Sequence, residues 1–383
     1  MSRTRQSGYL YRRGGNWCLR YYDLTQAPDG TIRRPQRSRI LVEAAGQYRT
    51  KKAAKVLADE FLAPFNNGMV TTQSCMSVVQ FWEKQYLPYV KAQKRPSTAA
   101  GYEKMWNRYL EARLAIPLRE FRTVDSEHML EEIAVQYKIS TTTLKHIKHL
   151  MSGIFRYALR MGVLNGVNPV QSSCLPKARP AGVTHAYTIS QIMAIIDALP
   201  LPAKTMISIA AFAGLRKGEM RGLRPADYDG SSLMISRSAW KKHIGPPKGR
   251  RGSGTVPLIP TAAKILDEYL TTTPVRNFIF ETSRGDPGDL DYMVREVIRP
   301  TLKTKKLHWY GLHAFRRGLA TNLHELGVAD IVIQAILRHS DVSVTRQAYI
   351  KNDGVDSRSL AAMERLELAI CTKHAPGVNG ATA

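Results

Sequence analysis

The sequence is poor in cysteine and contains no long apolar run. Its four cysteines, Cys18, Cys75, Cys174 and Cys371, lie far apart and form no C-x-x-C pair. This excludes a disulfide scaffold and disfavours a zinc site built on thiolates. No segment approaches the roughly 18 consecutive apolar residues of a membrane helix. The first residues lack the apolar core of a secretory signal, so we expect a cytoplasmic protein.

Acidic residues are also scarce. Across 383 residues, 31 Asp and Glu face 56 Lys and Arg, which gives a formal net charge of +25. Hydrophobic residues make up 44% of the chain, close to the globular average of about 45–50%, so disorder of the whole chain is excluded. The length predicts two or three domains. The excess of positive charge predicts a polyanionic partner, and nucleic acid is the first candidate.

Residues 1–67 form a basic N-terminal segment with 13 Lys and Arg against 5 Asp and Glu. Aromatic and β-branched residues predict strands at 9–11, 17–22 and 38–42, followed by a helix over 50–62 with Thr50 as its N-cap. A small sheet backed by one helix is therefore expected. Arginines interleaved with aromatic residues suit a nucleic-acid surface better than a merely solvated face. The candidates for DNA contact are Arg12, Arg13, Arg33 and Arg34.

Residues 77–165 predict an all-helical block. Ser97 is the expected cap of one helix, whose apolar residues recur at helical spacing from 102 to 110. A second helix is expected over 140–161, with one apolar side formed by Leu144, Ile147, Met151, Ile154, Phe155 and Ala158. Its other side carries bases and no acid. Charge of one sign over four turns favours phosphate contact over a solvated face, and the candidates are Lys145, Lys148, Arg156 and Arg160.

The stretch 166–181, which is basic and contains three prolines, predicts an exposed linker. Beyond it, residues 182–372 form the third predicted domain, whose first helix is expected to be capped by Ser190. This domain contains four separated patches with possible chemistry. Each patch alone is weak, because short basic or aromatic motifs recur by chance in many chains.

The four patches differ in their local setting. Arg216 follows a glycine that ends an apolar helix, and Lys248 lies on a predicted hairpin between strands 233–236 and 255–258. The i, i+3 spacing of His313 and Arg316 places both side chains on one helix face. His339 follows a further apolar helix, and Tyr349 comes ten residues later. Their order and spacing carry more information than any one of them.

In that order the sequence resembles the tyrosine recombinase, or phage-type integrase, family over about residues 188–351. The family signature is Arg, Lys, H-x-x-R, His or Trp, and Tyr, supplied here by Arg216, Lys248, His313, Arg316, His339 and Tyr349. The flanks G-L-R-x-G-E at 214–219, V-P-L at 256–258 and H-S-D at 339–341 match as well. Two departures are Arg338, where the family usually has glycine, and Arg317-Gly318, which replaces His-Thr or His-Ser.

The resemblance implies site-specific DNA recombination through a 3′-phosphotyrosine intermediate. Arg216 and Arg316 would grip the phosphate, because guanidinium groups bind its oxygens bidentately. Tyr349 would attack the phosphorus, with His313 as its base, His339 hydrogen-bonded to the phosphate and Lys248 as the acid for the leaving oxygen. Glu219 would orient a basic residue. No G-x-x-x-x-G-K-[ST] loop and no metal-ligand set accompany these residues, so we expect no cofactor, metal or ATP.

The expected fold is multidomain and mainly α, with small β-sheets. It comprises an N-terminal arm-type DNA-binding module of sheet plus helix, an all-α core-binding domain, and a mixed α/β, mostly helical catalytic domain. The resemblance implies that the last two clamp duplex DNA, and that homo-tetramers act on paired sites, with an accessory DNA-bending protein as a further partner. It also implies DNA integration, including viral genome integration, and a location on the nucleoid if the source is bacterial.

Some alternatives stay open at this point. An apolar-faced helix over 358–370, built on Leu360, Met363, Leu366 and Leu368, would pack on its own domain or dock in a neighbouring subunit. A type IB topoisomerase would share the tyrosine and the arginines but relax supercoils as a monomer. A catalytically silent, architectural DNA-binding protein would keep the charge without the chemistry.

Overall fold

The computed structural model of the chain describes residues 5–27, 31–66, 71, 73–249, 252–338 and 357–373. The backbone divides into two compact units, Met1–Gly182 and Val183–Ala383. Helices predominate in both, and the strands form small antiparallel sheets. This confirms the expected mainly α fold with small sheets. Within the described ranges, no helix has the length and apolar character needed to cross a membrane.

The N-terminal unit begins with the predicted sheet and helix. The sheet has three antiparallel strands in the order β1-β2-β5, namely β1 (Tyr9–Arg13), β2 (Asn16–Tyr22) and β5 (Gln36–Glu43). A short hairpin of β3 (Thr25–Gln26) and β4 (Ile32–Arg33) lies in the connection between β2 and β5. Helix α1 (Lys51–Asn66) follows, and Thr50 caps it by accepting the Ala53 N–H at 3.2 Å. Because side chains alternate along a strand, Leu10 and Leu19 share the face that packs on α1.

The helical block follows in the same unit. Its helices are α2 (Val78–Phe81), α3 (Leu87–Gln93), α4 (Pro96–Met105), α5 (Thr123–Tyr137) and α6 (Thr141–Arg160), and π-helical turns at Trp82–Tyr86 and Trp106–Leu110 extend them. Trp82 and Trp106 stack with ring centroids 4.4 Å apart at its centre. The six apolar residues predicted for the inner side of α6 are all buried. The predicted second helix is confirmed.

Two predictions in this unit are wrong. Helix α4 begins at Pro96 rather than after Ser97, because the fixed φ of proline suits the first helical position. The stretch predicted as an exposed linker packs against α6 over its first part. Asn168 is buried and donates to the Ser152 carbonyl at 2.9 Å, and Val170 lies in the helical core. The prolines and polar residues suggested exposure, but the polar Asn168 instead forms hydrogen bonds that hold this part of the segment in place.

The second unit contains nine helices among its described residues. They are α7 (Ile189–Ala198), α8 (Leu201–Phe212), α9 (Lys217–Gly222), α10 (Pro260–Thr272), α11 (Leu290–Met293), α12 (Arg299–Thr304), α13 (Leu312–Glu325), α14 (Asp330–Leu337) and α15 (Ser357–Lys373). Its strands are β6 (Ser232–Ile235), β7 (Ser238–Trp240), β8 (His243–Gly245) and β9 (Gly254–Pro257), paired β6 with β9 and β7 with β8. Helix α8 is almost wholly buried and packs against α10 and α13.

Two details of this unit differ from the prediction. The cap of α7 is Thr188 rather than Ser190, because Thr188 and Gln191 exchange reciprocal side-chain to backbone hydrogen bonds of 3.1 and 3.3 Å. The buried face of α15 also differs from the apolar face that the sequence predicts. Leu360 and Leu368 are 47% and 65% exposed, whereas Ala362, Met363, Leu366 and Ile370 pack into the core of the same domain. Residues 363, 366 and 370 fit one helical stripe, which 360 and 368 flank.

Candidate active site

A glycine turn between α8 and α9 positions the first arginine. Gly214 has a φ of +60°, and a Cβ there would lie 2.7 Å from Leu337 Cδ2 and 3.0 Å from Leu319 Cδ2. Both the conformation and the close approach require glycine. Arg216 then caps α9 in an extended conformation, with φ −74° and ψ 151°. The expected placement of Arg216 at a helix start is confirmed.

Glu219 forms the buried centre of the site. It is 2% exposed. Its Oε1 accepts from Arg216 Nη1 at 2.7 Å, and its Oε2 accepts from the Arg216 backbone N–H at 3.0 Å and from Arg338 Nη2 at 2.8 Å. Burial alone would raise the pKa of this carboxyl, but the charges of Arg338 and Arg216 and their hydrogen bonds lower it. Glu219 is therefore an ionised anchor for two guanidinium groups.

Helix α13 contributes the two residues of the H-x-x-R motif. Arg316 is 6% exposed and donates Nη1 to the Gly214 carbonyl and Nη2 to the Leu337 carbonyl. Burial, followed by the charges of Arg216 and Arg338, lowers its pKa to about 9. This guanidinium remains charged at neutral pH, although the charges that act on it among the described residues are two arginines against one carboxylate. Such a site is suited to an incoming anion.

His313 lies one helical turn before Arg316 and is exposed to solvent. Partial desolvation lowers its pKa, and the charges of Arg316, Arg317 and Arg216 lower it further against the opposing effect of Glu219. The imidazole is consequently neutral at pH 7 and has a nitrogen free to accept a proton. A cleft of about 250 Å³ opens beside these groups and is lined by Arg216, His313, Arg316, Arg317, Ala320 and Leu337.

Lys248 lies outside this buried cluster. Strands β6 and β9 pair antiparallel, and each begins one residue earlier than predicted. The β7–β8 hairpin forms part of the chain that connects them. Lys248 is exposed in the loop that leads from β8 to β9. Lys242 lies in the β7–β8 turn, with its Nζ 3.7 Å from an Asp286 carboxylate oxygen. His339 and Tyr349 lie outside the described residues.

The residues proposed for DNA contact have different surroundings. Arg12 donates to the Arg49 carbonyl at 2.5 Å, and its guanidinium stands 4.8 Å from the centre of the Trp17 ring. Arg13 is exposed on β1, Arg33 lies on β4, and the Arg34 guanidinium is 5.4 Å from the Tyr22 ring. Arg12 is thus held by its own module, while Arg13 is presented to solvent.

On α6 the basic residues also divide into two kinds. Lys145 and Arg156 are exposed. Lys148 donates to the carbonyls of Gln171 and Ser173, so it fastens the following segment to the helix. The Arg160 guanidinium stacks 4.8 Å from the Tyr89 ring and 5.1 Å from the Tyr157 ring.

The sequence prediction misses one residue of the site. Arg338 stands where the resembling family usually has glycine, yet its guanidinium lies at the centre of the cluster on Glu219. The available signal is the arginine itself, placed directly after an apolar helix at a position that normally has no side chain. Its partner is 119 residues away in sequence, so no local pattern identifies the pair.

Comparisons with known proteins point to the family that the motif resembles. Residues 183–354 match the family model described as "Phage integrase family". A tyrosine recombinase XerC-like protein of Caldanaerobacter subterraneus subsp. tengcongensis is 22% identical over 338 residues, covering 79% of this chain and 86% of the relative. A tyrosine recombinase of Thermosipho africanus is 27% identical over 270 residues, covering 68% of this chain and 90% of the relative.

Solved structures show the same fold. The Tn1549 transposon integrase in complex with transposon right end DNA matches with a TM-score of 0.59 at 19% identity, over 76% of this chain and 99% of that one. A lambda integrase tetramer bound to a Holliday junction matches with a TM-score of 0.54 at 17% identity, over 89% and 98% of the two chains. A basic chain with this fold, in which the partly exposed Arg216 and the buried Arg316 line one cleft, resembles the enzymes that break and rejoin DNA. Residues 183–354 belong to the phage integrase family, and the chain is similar over most of its length to tyrosine recombinases.

Proposed function

We propose that the chain cleaves and rejoins duplex DNA through a 3′-phosphotyrosine formed by Tyr349. The phenolic oxygen would attack the phosphorus and pass its proton to His313, while the bond to the 5′ oxygen breaks. That oxygen would take a proton from Lys248. Because the phosphotyrosine keeps the energy of the broken bond, rejoining is the reverse reaction and needs no ATP. Tyr349, Lys248 and His339 enter this proposal through the family motif.

The observation that supports the proposal most is the surplus of guanidinium groups at the cleft. Arg216 and Arg316 line it, and Arg338 is buried against Glu219. Among the described residues, Glu219 is the one acidic hydrogen-bonding partner of these three arginines. A five-coordinate phosphorus carries extra negative charge, and preorganised donors stabilise it better than they stabilise the ground state. His313 is neutral and beside them, as a base should be.

We further propose that the basic surface of the N-terminal unit binds the DNA flanking the cleavage point. On α6 the exposed Lys145 and Arg156 are the candidates for phosphate contact, and Arg13 is the candidate on the sheet. Phosphate contacts would fix the position of the enzyme without reading sequence. Function as a homo-tetramer on paired sites, integration of a viral genome, and help from an accessory bending protein belong to the same proposal.

Covalent capture tests this function and identifies the target sequence in the same experiment. The full chain is incubated with a random pool of nicked suicide duplexes, in which cleavage releases a short strand and prevents rejoining. The mixture is denatured, and DNA that stays attached to protein is sequenced. Recovery of a defined sequence joined through its 3′ end supports the proposal. Denaturation-resistant attachment through a 5′ end, or none at all, would contradict it.

The same captured duplex separates the two alternatives. A topoisomerase-like enzyme would relax supercoiled plasmids that lack the captured sequence, whereas a recombinase would join two plasmids that carry it. A silent architectural protein would bind the duplex and leave both plasmids unchanged. We expect joining that depends on the captured sequence.

A further inference from the structure

The residue after α14 has an unusual backbone conformation. Arg338 adopts the left-handed conformation, with φ 52° and ψ 47°. Glycine adopts this conformation most readily and commonly ends helices in this way. Tyrosine recombinases usually have glycine at this place. Here the chain has instead an arginine, whose side chain costs strain in this conformation. A side chain retained under strain needs a function that offsets it.

The Arg338 side chain is buried and directed at the catalytic cluster. It is 6% exposed. Nη2 donates to Glu219 Oε2 at 2.8 Å, and Nη1 donates to the Ile336 carbonyl at 3.3 Å. Its Nε is buried with no hydrogen-bond partner in the part of the chain that the structure describes. Burial of a charge with one donor unsatisfied is unfavourable, so the contact with Glu219 is the main gain.

Both ends of Arg338 connect to the arginines of the cleft. Its guanidinium and that of Arg216 bind the two oxygens of the same Glu219 carboxylate. Its backbone follows Leu337, whose carbonyl accepts from Arg316 Nη2. The glycine usual at this position could supply the turn but could not contact Glu219. The backbone turn and the side-chain contact with Glu219 are therefore separable, because glycine can provide the first but not the second.

We propose that Arg338 is a positioning residue, which fixes Glu219 and thereby holds the Arg216 guanidinium in the orientation that grips the phosphate. This inference rests on the proposed function of Arg216. Without Arg338, Glu219 Oε2 keeps the Arg216 backbone N–H as its one donor among the described residues. The buried carboxylate can then draw the whole Arg216 guanidinium towards itself. The phosphate would then meet a misdirected donor.

The variant Arg338→Gly removes the guanidinium while relieving the backbone strain. Adduct formation is followed in single turnovers on the captured suicide duplex, over a range of DNA concentrations. We expect the maximal rate constant to fall about tenfold to a hundredfold, as a small misplacement of a catalytic group does. Half-saturating DNA concentration and melting temperature should stay close to those of the parent. Arg338→Lys should recover part of the rate, because it restores the charge but not the planar fork.

Two controls separate positioning from mere support of the fold. Lys306→Gly likewise replaces a basic residue with glycine at a left-handed position of the same unit (φ 56°), but Lys306 is exposed. This variant should leave the rate constant unchanged. In the Glu219→Gln background, Arg338→Gly should cause little further loss, because Arg338 acts through that carboxylate. Equal rates for the parent and Arg338→Gly, or independent losses in the double variant, would overturn the inference alone. If the parent forms no adduct, the proposed function fails and the inference falls with it.

Discussion

At the scale of single residues, two guanidinium groups bind one buried carboxylate and a third lies near them. Glu219 contacts Arg216 and Arg338 directly, and Arg316 lies close enough for their charges to lower its pKa. In a poorly solvated site such a surplus is unfavourable until an anion arrives. The same imbalance acts on His313, because desolvation and then the charges of its three arginine neighbours lower the pKa of the imidazole. The same surplus of positive charge thus favours phosphate binding and keeps His313 able to accept a proton.

The lowered pKa of His313 leads to a pH prediction. A base must be neutral to accept a proton, and an ordinary histidine becomes protonated below about pH 6.5. Because the His313 pKa lies below that value, the fall of the second-order rate constant for adduct formation at acid pH should be centred below pH 6.5. This rate constant reports the free enzyme. It is measured on subsaturating suicide duplex.

Arg317→Gln provides the matched test. It removes one of the positive neighbours that lower the His313 pKa, so the acid limb should move to higher pH. An acid limb centred at or above pH 6.5 in the parent, or one that Arg317→Gln leaves in place, would exclude His313 as the base.

At the scale of elements, Gly318 accounts for one departure from the family pattern. It lies in the interior of α13, and a Cβ there would come within 2.5 Å of the Tyr187 carbonyl oxygen and 3.1 Å of the Tyr187 nitrogen. That carbonyl also accepts from Asn322 Nδ2 at 3.2 Å. The helix and the segment before α7 therefore pack backbone to backbone, and a residue larger than glycine would force them apart.

Gly318→Ala should consequently destabilise the second unit. Alanine in place of a helical glycine normally stabilises by about 0.5–1 kcal/mol, but the clash with Tyr187 backbone should reverse the sign and cost about 1–3 kcal/mol. Gly101→Ala in α4 is the control, because nothing lies within 4 Å of a Cβ built there. Melting temperatures should fall for Gly318→Ala and rise for Gly101→Ala. A rise in both would show that the close approach to Tyr187 is not restrictive.

What the sequence predicts well at this scale is periodic or local. The apolar stripe of α6, the glycine before Arg216 and the i, i+3 pair on α13 follow from spacing alone. The burial of Asn168 and Val170 does not, because it depends on contacts with α6 rather than on their own composition. The pair of Arg338 and Glu219 joins two elements far apart in sequence. The order of the motif identified the site, whereas the arrangement around Glu219 required the structure.

At the scale of the whole molecule, we propose that the N-terminal sheet provides a second surface for DNA. The face away from α1 carries Tyr9, Tyr11 and Arg20, with the Arg20 guanidinium 5.2 Å from the Tyr11 ring and 6.0 Å from the Tyr9 ring. A β-ribbon can enter the major groove and read base edges through arginine. We expect this module to bind a DNA sequence distinct from the one that is cleaved.

Arg20→Glu in the full chain tests this expectation. The variant should lose the second sequence in a selection from random DNA, yet form the covalent adduct at the parent rate on the captured duplex. Lys52→Glu, an identical charge change on the exposed part of α1, should retain both. If the two variants weaken binding equally and the parent enriches no second sequence, the module is an electrostatic anchor without sequence preference.

The most direct test of the proposed mechanism is whether Tyr349 is the nucleophile. Tyr349→Phe removes only the phenolic oxygen, so it should bind the captured duplex as the parent does and form no adduct. On a denaturing gel, the parent should give a protein–DNA band that protease removes, and Tyr349→Phe should give none. An adduct in the Phe variant would contradict the central claim and direct attention to the exposed Tyr310 and Tyr292.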